Sequence, residues 1–84
     1  MTKEVGMDRG NEIEAFIVEK ITQGEKIAHD EDLLASGVLD SLAIAELVSF
    51  LESRFQIRVS DDDLMPENFK TIDEIAAFVN AKGG

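Results

Sequence analysis

Residues 40–55 read DSLAIAELVSFLESRF and carry the clearest helical pattern of the chain. Apolar side chains recur there at intervals of three and four residues, which is the spacing of one face of an α-helix. The face consists of Ile44, Leu47, Val48, Leu51 and Phe55, and Leu42 and Ala45 widen it. Asp40 precedes the pattern, and its carboxylate can accept a hydrogen bond from the first turn. The segment therefore predicts an amphipathic helix that begins near Asp40 and Ser41.

Two further long helices are predicted, one on each side of this segment. Asn11 and Glu14 have the spacing of a capping box, and the helix that they open would end near Gly24. Thr71 and Glu74 repeat the capping-box spacing ahead of a last helix. The apolar faces of these helices would consist of Ile13, Phe16, Ile17 and Ile21 in the first and of Ile72, Ile75, Ala76 and Val79 in the last.

The segments between the helices are irregular. Residues 24–39 contain apolar side chains without a period, which is typical of a long loop that is functional or held in place by those side chains. Ser60 can cap a short helical turn, which Pro66 interrupts or restarts. We therefore predict an all-α fold, a small four-helix bundle of three long helices and one short one. The chain would form a single domain over residues 1–84, with its core at 10–81 and flexible segments at 1–9 and 82–84.

The composition excludes several classes of function. The 84 residues include 18 acidic and 8 basic side chains, no cysteine and one histidine, and the net charge is −10. Such a chain lacks the basic face that binding to nucleic acid or to an anionic membrane requires. A single imidazole without thiols also provides no ligand set for zinc. Because we find neither a signal peptide nor a long apolar run, we expect a cytoplasmic protein with no membrane insertion. We also expect a monomer.

Ser41 lies in the first turn of the predicted central helix. Gly37 permits a left-handed turn just before that helix. The unpaired N–H groups and the positive end of the helix dipole favour an anion at this place, so a phosphate ester on the Ser41 hydroxyl would be stabilised. The pair Asp40-Ser41 is also typical of an ordinary helix start, which is the more common case. The residues alone leave both interpretations open.

The sequence around Ser41 resembles the acyl carrier and peptidyl carrier proteins. The resemblance is carried by residues 34–42 (LASGVLDSL), by residues 46–48 (ELV) and by residues 51–59 (LESRFQIRV). The last helix, with TIDEIA at 71–76, fits as well, so that the similarity covers roughly residues 10–80. Members of this family fold as a small bundle of three long helices and one short one, in agreement with the helical pattern.

The resemblance implies that Ser41 carries 4′-phosphopantetheine, with Asp40 and Leu42 as the flanking motif. A separate transferase would add this arm from coenzyme A with the help of magnesium. Ser41 would then be an attachment site and not a catalytic nucleophile, and the chain would be a freestanding carrier and not an enzyme. The thiol of the arm would hold acyl or aminoacyl cargo as a thioester and present it to successive enzymes at high effective concentration.

The charge around Ser41 predicts how partners dock. No Lys or Arg occurs between Ile27 and Ser53, whereas the acids in this stretch are Asp30, Glu31, Asp32, Asp40, Glu46 and Glu52. A negative surface attracts enzymes with basic patches. The expected partners are the phosphopantetheinyl transferase, a ligase that loads acyl or aminoacyl groups, and downstream synthases or transferases. We expect Asp40, Glu46 and Glu52 to make the docking contacts.

Three positions depart from the fatty-acid branch of the family. Ala43 follows the Asp-Ser-Leu triplet, where that branch commonly has an acid. Ser53 and Arg54 follow Glu52, where it commonly has further acids. These differences favour a dedicated biosynthetic pathway, with an aminoacyl or specialised acyl cargo, over housekeeping fatty-acid synthesis.

Other classes of protein fit the sequence less well. Ser41, His29 and Asp40 lack the Gly-x-Ser-x-Gly elbow of a hydrolase, and the acid adjoins the serine instead of the histidine. The acids at 61–63 lack the spacing of a calcium loop. The Gly83-Gly84 pair suggests a ubiquitin-like sulfur carrier, which would require several strands. A helical interaction module with an unmodified Ser41 is the remaining alternative.

Overall fold

The computed structural model describes residues 9–84, and these form an all-helical bundle. Helix α1 spans Arg9–Lys20, α2 spans Ser41–Phe55, α3 spans Pro66–Phe69 and α4 spans Ile72–Ala81, with a 3₁₀ turn at Asp61–Asp63 before α3. The predicted architecture of three long helices and one short one is confirmed. Within residues 9–84 there is no strand, so this part of the chain does not build the sheet of a ubiquitin-like sulfur carrier.

The core lies between the three long helices. Helix α1 packs against both α2 and α4, and α3 packs against α4. The buried apolar residues are Ile13, Ile17, Ile27, Leu33, Leu39, Ala43, Leu47, Leu51, Phe69, Ile72, Ile75, Phe78 and Val79. Full burial of one Val, Leu, Ile or Phe side chain contributes roughly 1.5–3 kcal/mol, so the apolar faces of the helices supply the main stabilising term.

The long loop between α1 and α2 is held against the bundle by its own apolar side chains. The buried residues of the loop are Ile27, Leu33 and Leu39. Backbone hydrogen bonds fix it further: the Leu33 N–H donates to the Lys70 carbonyl at 2.7 Å, and the Asp73 N–H donates to the His29 carbonyl at 3.1 Å. The loop therefore follows a defined path from α1 to the start of α2.

Two details of the predicted helices are wrong. Asn11 is not an N-cap, because α1 already includes Arg9 and Asn11 lies inside the helix. The guanidinium of Arg9 donates to the Gly84 carbonyl, and this long-range contact supports a first turn that local capping signals do not indicate. Leu42 and Ala45 do not widen the buried face of α2, because both are exposed to solvent.

Other helix ends agree more closely with the sequence pattern. Thr71 caps α4, since its hydroxyl accepts a hydrogen bond from the Glu74 N–H at 3.0 Å. Pro66 is the first residue of α3 and so restarts the helical chain. Helix α1 ends at Lys20 instead of near Gly24, and Gly24 instead has a φ of +112° in the turn that follows.

The end of the chain contacts the bundle. Lys82 Nζ lies 2.6 Å from Asp63 Oδ2, and the same carboxylate accepts hydrogen bonds from the N–H and the hydroxyl of Ser60 at 3.0 and 3.1 Å. The Gly84 N–H donates to the Val79 carbonyl at 3.0 Å. The flexibility expected at 82–84 stays a prediction, and residues 1–8 lie outside the described part of the chain. No helix in residues 9–84 has the length and apolar character needed to cross a bilayer.

Candidate functional site

Ser41 is the first residue of α2, and it is exposed. Asp40 is the N-cap, as predicted, with the Ala43 N–H donating to Asp40 Oδ1 at 2.8 Å. The Ile44 N–H donates to the Asp40 carbonyl at 2.8 Å and starts the helical ladder. Because Asp40 secures the first turn, the cap does not depend on the Ser41 hydroxyl. That hydroxyl stands at the positive end of the helix dipole.

Buried residues fix the position of Ser41 from both sides. Leu39, two residues earlier, is 4% exposed and donates its N–H to the Leu33 carbonyl at 3.0 Å. Ala43, two residues later, is also buried. Gly37 has a φ of +85° in the turn that leads to the helix, as the sequence predicted. Ser41 is thus an exposed group on a backbone that is held by the core.

The acids predicted to dock partners differ in their surroundings. Asp40 and Glu46 are exposed. Glu52 is half-buried, and its Oε2 accepts a hydrogen bond from the Val59 N–H at 2.8 Å. Asp40 and Glu46 are therefore the exposed carboxylates among the three, and Asp40 also caps α2 through the Ala43 N–H. Glu52 is less accessible and is bound to the Val59 N–H.

An exposed apolar side chain next to Ser41 was missed from the sequence. Leu42, the second residue of α2, is 70% exposed. Leu64 and Met65, between the 3₁₀ turn and α3, are exposed as well. Helical spacing assigned Leu42 to the edge of the core face, and only the packing at the start of α2 reveals that the core does not reach it.

His29 is not assembled with Ser41 into a catalytic group. Its Nε2 lies 2.8 Å from Glu14 Oε1, and its Nδ1 lies 3.8 Å from Asp73 Oδ1. These contacts join the long loop to α1 and α4. Asp40, the acid beside the serine, is engaged with the Ala43 N–H instead.

Asp63, the last of the acids at 61–63, joins two parts of the chain. The Lys82 ammonium, together with the Ser60 N–H, lowers the pKa of the Asp63 carboxyl below its usual value of 3.8. The contact joins the 3₁₀ turn to the residue that follows α4.

Two open cavities lie along α2, and one of them is beside its start. The nearer one, of about 470 Å³, is lined by residues that include Gly37, Asp40, Leu42, Lys20 and Glu46. The second, of about 930 Å³, continues between α1 and α2 and is lined by Lys20, Glu46, Ser49, Phe50, Ser53 and Gln56, among others. The sequence did not indicate these cavities, because they depend on how far apart the two helices lie.

The arrangement fits a group attached through a phosphate ester. Ser41 offers an accessible hydroxyl, a positive helix end beside it and a cap that a modification would leave in place. This geometry is compatible with a covalent arm at Ser41.

Comparison with known proteins gives the family. A family model described as phosphopantetheine attachment site matches residues 16–79, and the chain belongs to this family. Membership implies a covalently attached 4′-phosphopantetheine. Carrier proteins of this kind are not themselves catalysts, and this chain is likewise a carrier and not an enzyme.

Curated relatives of known sequence include D-alanyl carrier proteins. The one from Streptococcus thermophilus is 38% identical over 69 residues, which cover 82% of this chain and 87% of the relative. The one from Streptococcus suis is 46% identical over 50 residues, and these cover 60% of this chain and 63% of the relative, which is less than two thirds of its length.

Solved structures share the fold. The apo form of KstB-PCP, a peptidyl carrier protein, is 35% identical and superposes with a TM-score of 0.75, covering 89% of this chain and 86% of that chain. A chain from the crystal structure of an FAD-dependent dehydrogenase has the same TM-score with 25% identity, covering 80% of this chain and 97% of its own length.

Proposed function

We propose that this protein is a freestanding carrier whose Ser41 is the attachment point of the 4′-phosphopantetheine arm. The observation that carries the proposal is the position of Ser41: it is exposed on the first turn of α2, directly after the Asp40 cap and within the family match. We further propose that the carrier works in the cytoplasm.

The arm supplies a thiol that holds cargo as a thioester. This chain contributes the anchor for the arm and a surface that partner enzymes recognise. It has no cysteine of its own, so no side-chain thiol competes for the cargo. Tethering raises the effective concentration of the cargo at each enzyme without any catalytic group on the carrier.

We infer that the cargo is an aminoacyl group and that the pathway is a dedicated one. The D-alanyl carrier relatives support this inference and make D-alanine the first candidate. Two features of α2 agree with a departure from the fatty-acid carriers. Ala43 is buried and adds no charge beside Ser41, and the Arg54 guanidinium lies 2.5 Å from Glu12, where it neutralises an acid.

We propose that partners dock on the exposed start of α2. Leu42 offers an apolar contact and Glu46 a carboxylate one turn further along the helix. A transferase or ligase with a basic patch beside an apolar pocket is complementary to this pair. Glu52 contributes less to our docking model, because its carboxylate is bound to the Val59 N–H.

Intact-mass analysis tests the attachment site. The full chain is incubated with coenzyme A, magnesium and a broad-specificity phosphopantetheinyl transferase, and we expect the mass of one arm to be gained. Ser41→Ala should gain nothing, whereas Ser49→Ala, a change at another exposed serine of α2, should load like the unchanged chain. An arm on the Ser41→Ala variant would contradict the assignment.

A second experiment tests the cargo. The loaded carrier is incubated with ATP, D-alanine and the ligase that serves a D-alanyl carrier protein, and the mass of one aminoacyl group should be gained and then lost with hydroxylamine. A fatty acid offered with an acyl carrier protein ligase is the comparison. Loading of the fatty acid alone would overturn the aminoacyl proposal and leave the attachment site intact.

A further inference from the structure

The segment 82–84 joins parts of the chain that are far apart in the sequence. Lys82 follows α4, and its Nζ lies 2.6 Å from Asp63 Oδ2 in the 3₁₀ turn. The guanidinium of Arg9, at the start of α1, donates to the Gly84 carbonyl. Three consecutive residues thus reach the first helix and the connection between α2 and α3.

Gly83 and Gly84 end α4 in a regular way. Gly83 has a φ of +91°, a left-handed conformation that glycine adopts more easily than other residues. The Gly84 N–H donates to the Val79 carbonyl at 3.0 Å. The Gly83 N–H donates to the Asn80 carbonyl at 3.1 Å. This pair of hydrogen bonds is the Schellman motif, which satisfies the last carbonyls of a helix.

Gly84 occupies a place that has no room for a side chain. A Cβ atom at this position would lie 2.7 Å from Val79 Cγ1 and 3.0 Å from both Ile57 Cγ2 and Phe55 Cβ. Val79 is fully buried in a close-packed core, so it has little room to move. Because Phe55 is the last residue of α2, the backbone of Gly84 lies directly against the end of that helix.

We propose that residues 82–84 form a clasp that couples the start of α1, the end of α2 and the 3₁₀ turn. When the clasp opens, these three parts would loosen together, whereas the end of the bundle that holds Ser41 would stay folded. Small domains open locally in cooperative units of this kind. The Gly83-Gly84 pair is then a structural feature of the helix end and not the reactive tail of a sulfur carrier.

Distance separates the clasp from the attachment site. At 1.5 Å per residue, Phe55 lies about 21 Å along the axis of α2 from Ser41. The first turn of α2 has its own support, because the Ala43 N–H donates to Asp40 Oδ1. Opening of the clasp should therefore leave this turn in place. The inference does not depend on whether Ser41 carries the arm.

Hydrogen exchange of backbone amides tests the coupling in the full chain. The amides of Ile13 in α1, Val59 after α2 and Leu64 after the 3₁₀ turn report on the three parts, since each is hydrogen-bonded. Gly84→Ala should lower the protection of all three by about tenfold or more. The Ile44 amide, in the first turn of α2, should keep its protection.

Two further variants provide matched comparisons. Gly24→Ala also places an alanine at a positive φ, of +112°, but in open space outside the clasp, so it reports on backbone strain alone. It should not lower the protection of the three amides relative to Ile44. Arg9→Gln should repeat the pattern of Gly84→Ala without adding a side chain, whereas Arg58→Gln, the same change at an exposed arginine outside the clasp, should not.

Several outcomes would overturn the clasp. One is an equal fall in protection at every amide, including Ile44, and another is a fall in only one of the three coupled parts. Unprotected amides at Gly83 and Gly84 in the unchanged chain would also refute it and would support the flexibility expected at 82–84. If Gly84→Ala does not fold, the comparison of Arg9→Gln with Arg58→Gln decides, and equal exchange in these two variants would refute the coupling.

Discussion

The carboxylate of Glu52 on α2 accepts a hydrogen bond from the backbone N–H of Val59 at 2.8 Å. Between them, Gln56 ends the helix in the left-handed conformation, with a φ of +59°. The contact therefore holds the chain as it turns away from α2 toward the 3₁₀ turn. A residue that sequence similarity and charge assign to partner docking has a structural role, and this difference can be measured.

Glu52→Ala should destabilise the fold more than Glu46→Ala. The first change leaves the half-buried Val59 N–H without its carboxylate partner, at a cost of about 1 kcal/mol. The second removes an exposed acid, and its effect should stay within about 0.5 kcal/mol. Urea unfolding followed by circular dichroism measures both. The urea midpoint of Glu52→Gln, which keeps an acceptor oxygen, should lie between the midpoints of the two alanine variants. Equal midpoints for the two alanine variants would contradict the structural role.

Asp40→Ala should weaken the start of α2. Loss of the hydrogen bond from the Ala43 N–H to Asp40 Oδ1 should cost about 1 kcal/mol, as for other helix caps. Asp40→Ser retains a capping oxygen and should recover most of the loss. Thermal unfolding compares the variants, and hydrogen exchange at the Ala43 amide should increase in Asp40→Ala. An alanine variant as stable as the unchanged chain would show that the cap is not needed.

The contact between Asp63 and Lys82 should make stability depend on acid pH. The pKa of the folded Asp63 carboxyl lies below its usual 3.8, chiefly because of Lys82, so the unfolded chain binds more protons at this group over the interval between the two values. The stabilisation is present above the unfolded value and is lost as the pH falls through the folded one. Asp63→Asn should thus unfold at a lower temperature than the unchanged chain near neutral pH.

Asp62, the acid next to Asp63, provides a control for thermal unfolding measured at a series of pH values. Asp62→Asn removes the same charge from the same exposed turn and should melt close to the unchanged chain throughout. The difference in unfolding temperature between Asp63→Asn and Asp62→Asn should be constant above the usual pKa of 3.8 and should disappear below it. A difference that persists in strong acid would mean that the contact acts through packing and not through the ionised carboxylate.

Features encoded within a few residues were predictable from the sequence, and contacts between distant residues were not. The helix at 40–55, its Asp40 cap and the Thr71 cap depend on local spacing, and all three are present. Arg9, the first residue of α1, contacts Gly84, which is 75 residues away, and no local pattern indicates that contact. The two cavities along α2 depend on the distance between α1 and α2, and no periodicity encodes that distance.

At the Ser41 site, too, the local features were predictable from the sequence and the features that depend on distant residues were not. The Asp-Ser-Leu motif made Ser41 the proposed attachment residue, and its exposure at a helix start could be inferred from the Asp40 cap. Leu42 was assigned to the core face by helical spacing, but at the first turn of α2 the neighbouring elements do not cover it, and it is 70% exposed. The sequence could not show that Glu52 is engaged whereas Glu46 is exposed, because the partner of Glu52 is the backbone N–H of Val59.

Charge reversal at Glu46 should impair loading by the transferase more than reversal at Glu19. Glu46 is exposed on α2, five residues after Ser41, whereas Glu19 is exposed in the last turn of α1. Both changes alter the net charge equally, so the long-range attraction to a basic enzyme falls alike and only the local contact differs. An exposed ion pair is worth roughly 0.2–1 kcal/mol, so Glu46→Lys should lose up to several-fold in kcat/KM relative to Glu19→Lys.

Initial rates of arm transfer to the two variants, measured at low and at moderate salt, separate the local from the long-range effect. Added salt should reduce the rates of the unchanged chain and of Glu19→Lys together, because it screens the general attraction over about 10 Å at 0.1 M. The additional loss of rate in Glu46→Lys should decrease less when salt is added, because in our proposal the enzyme and the carrier are in contact at this residue. Equal losses in both variants at every salt concentration would mean that net charge alone governs recognition and that the start of α2 is not the docking surface.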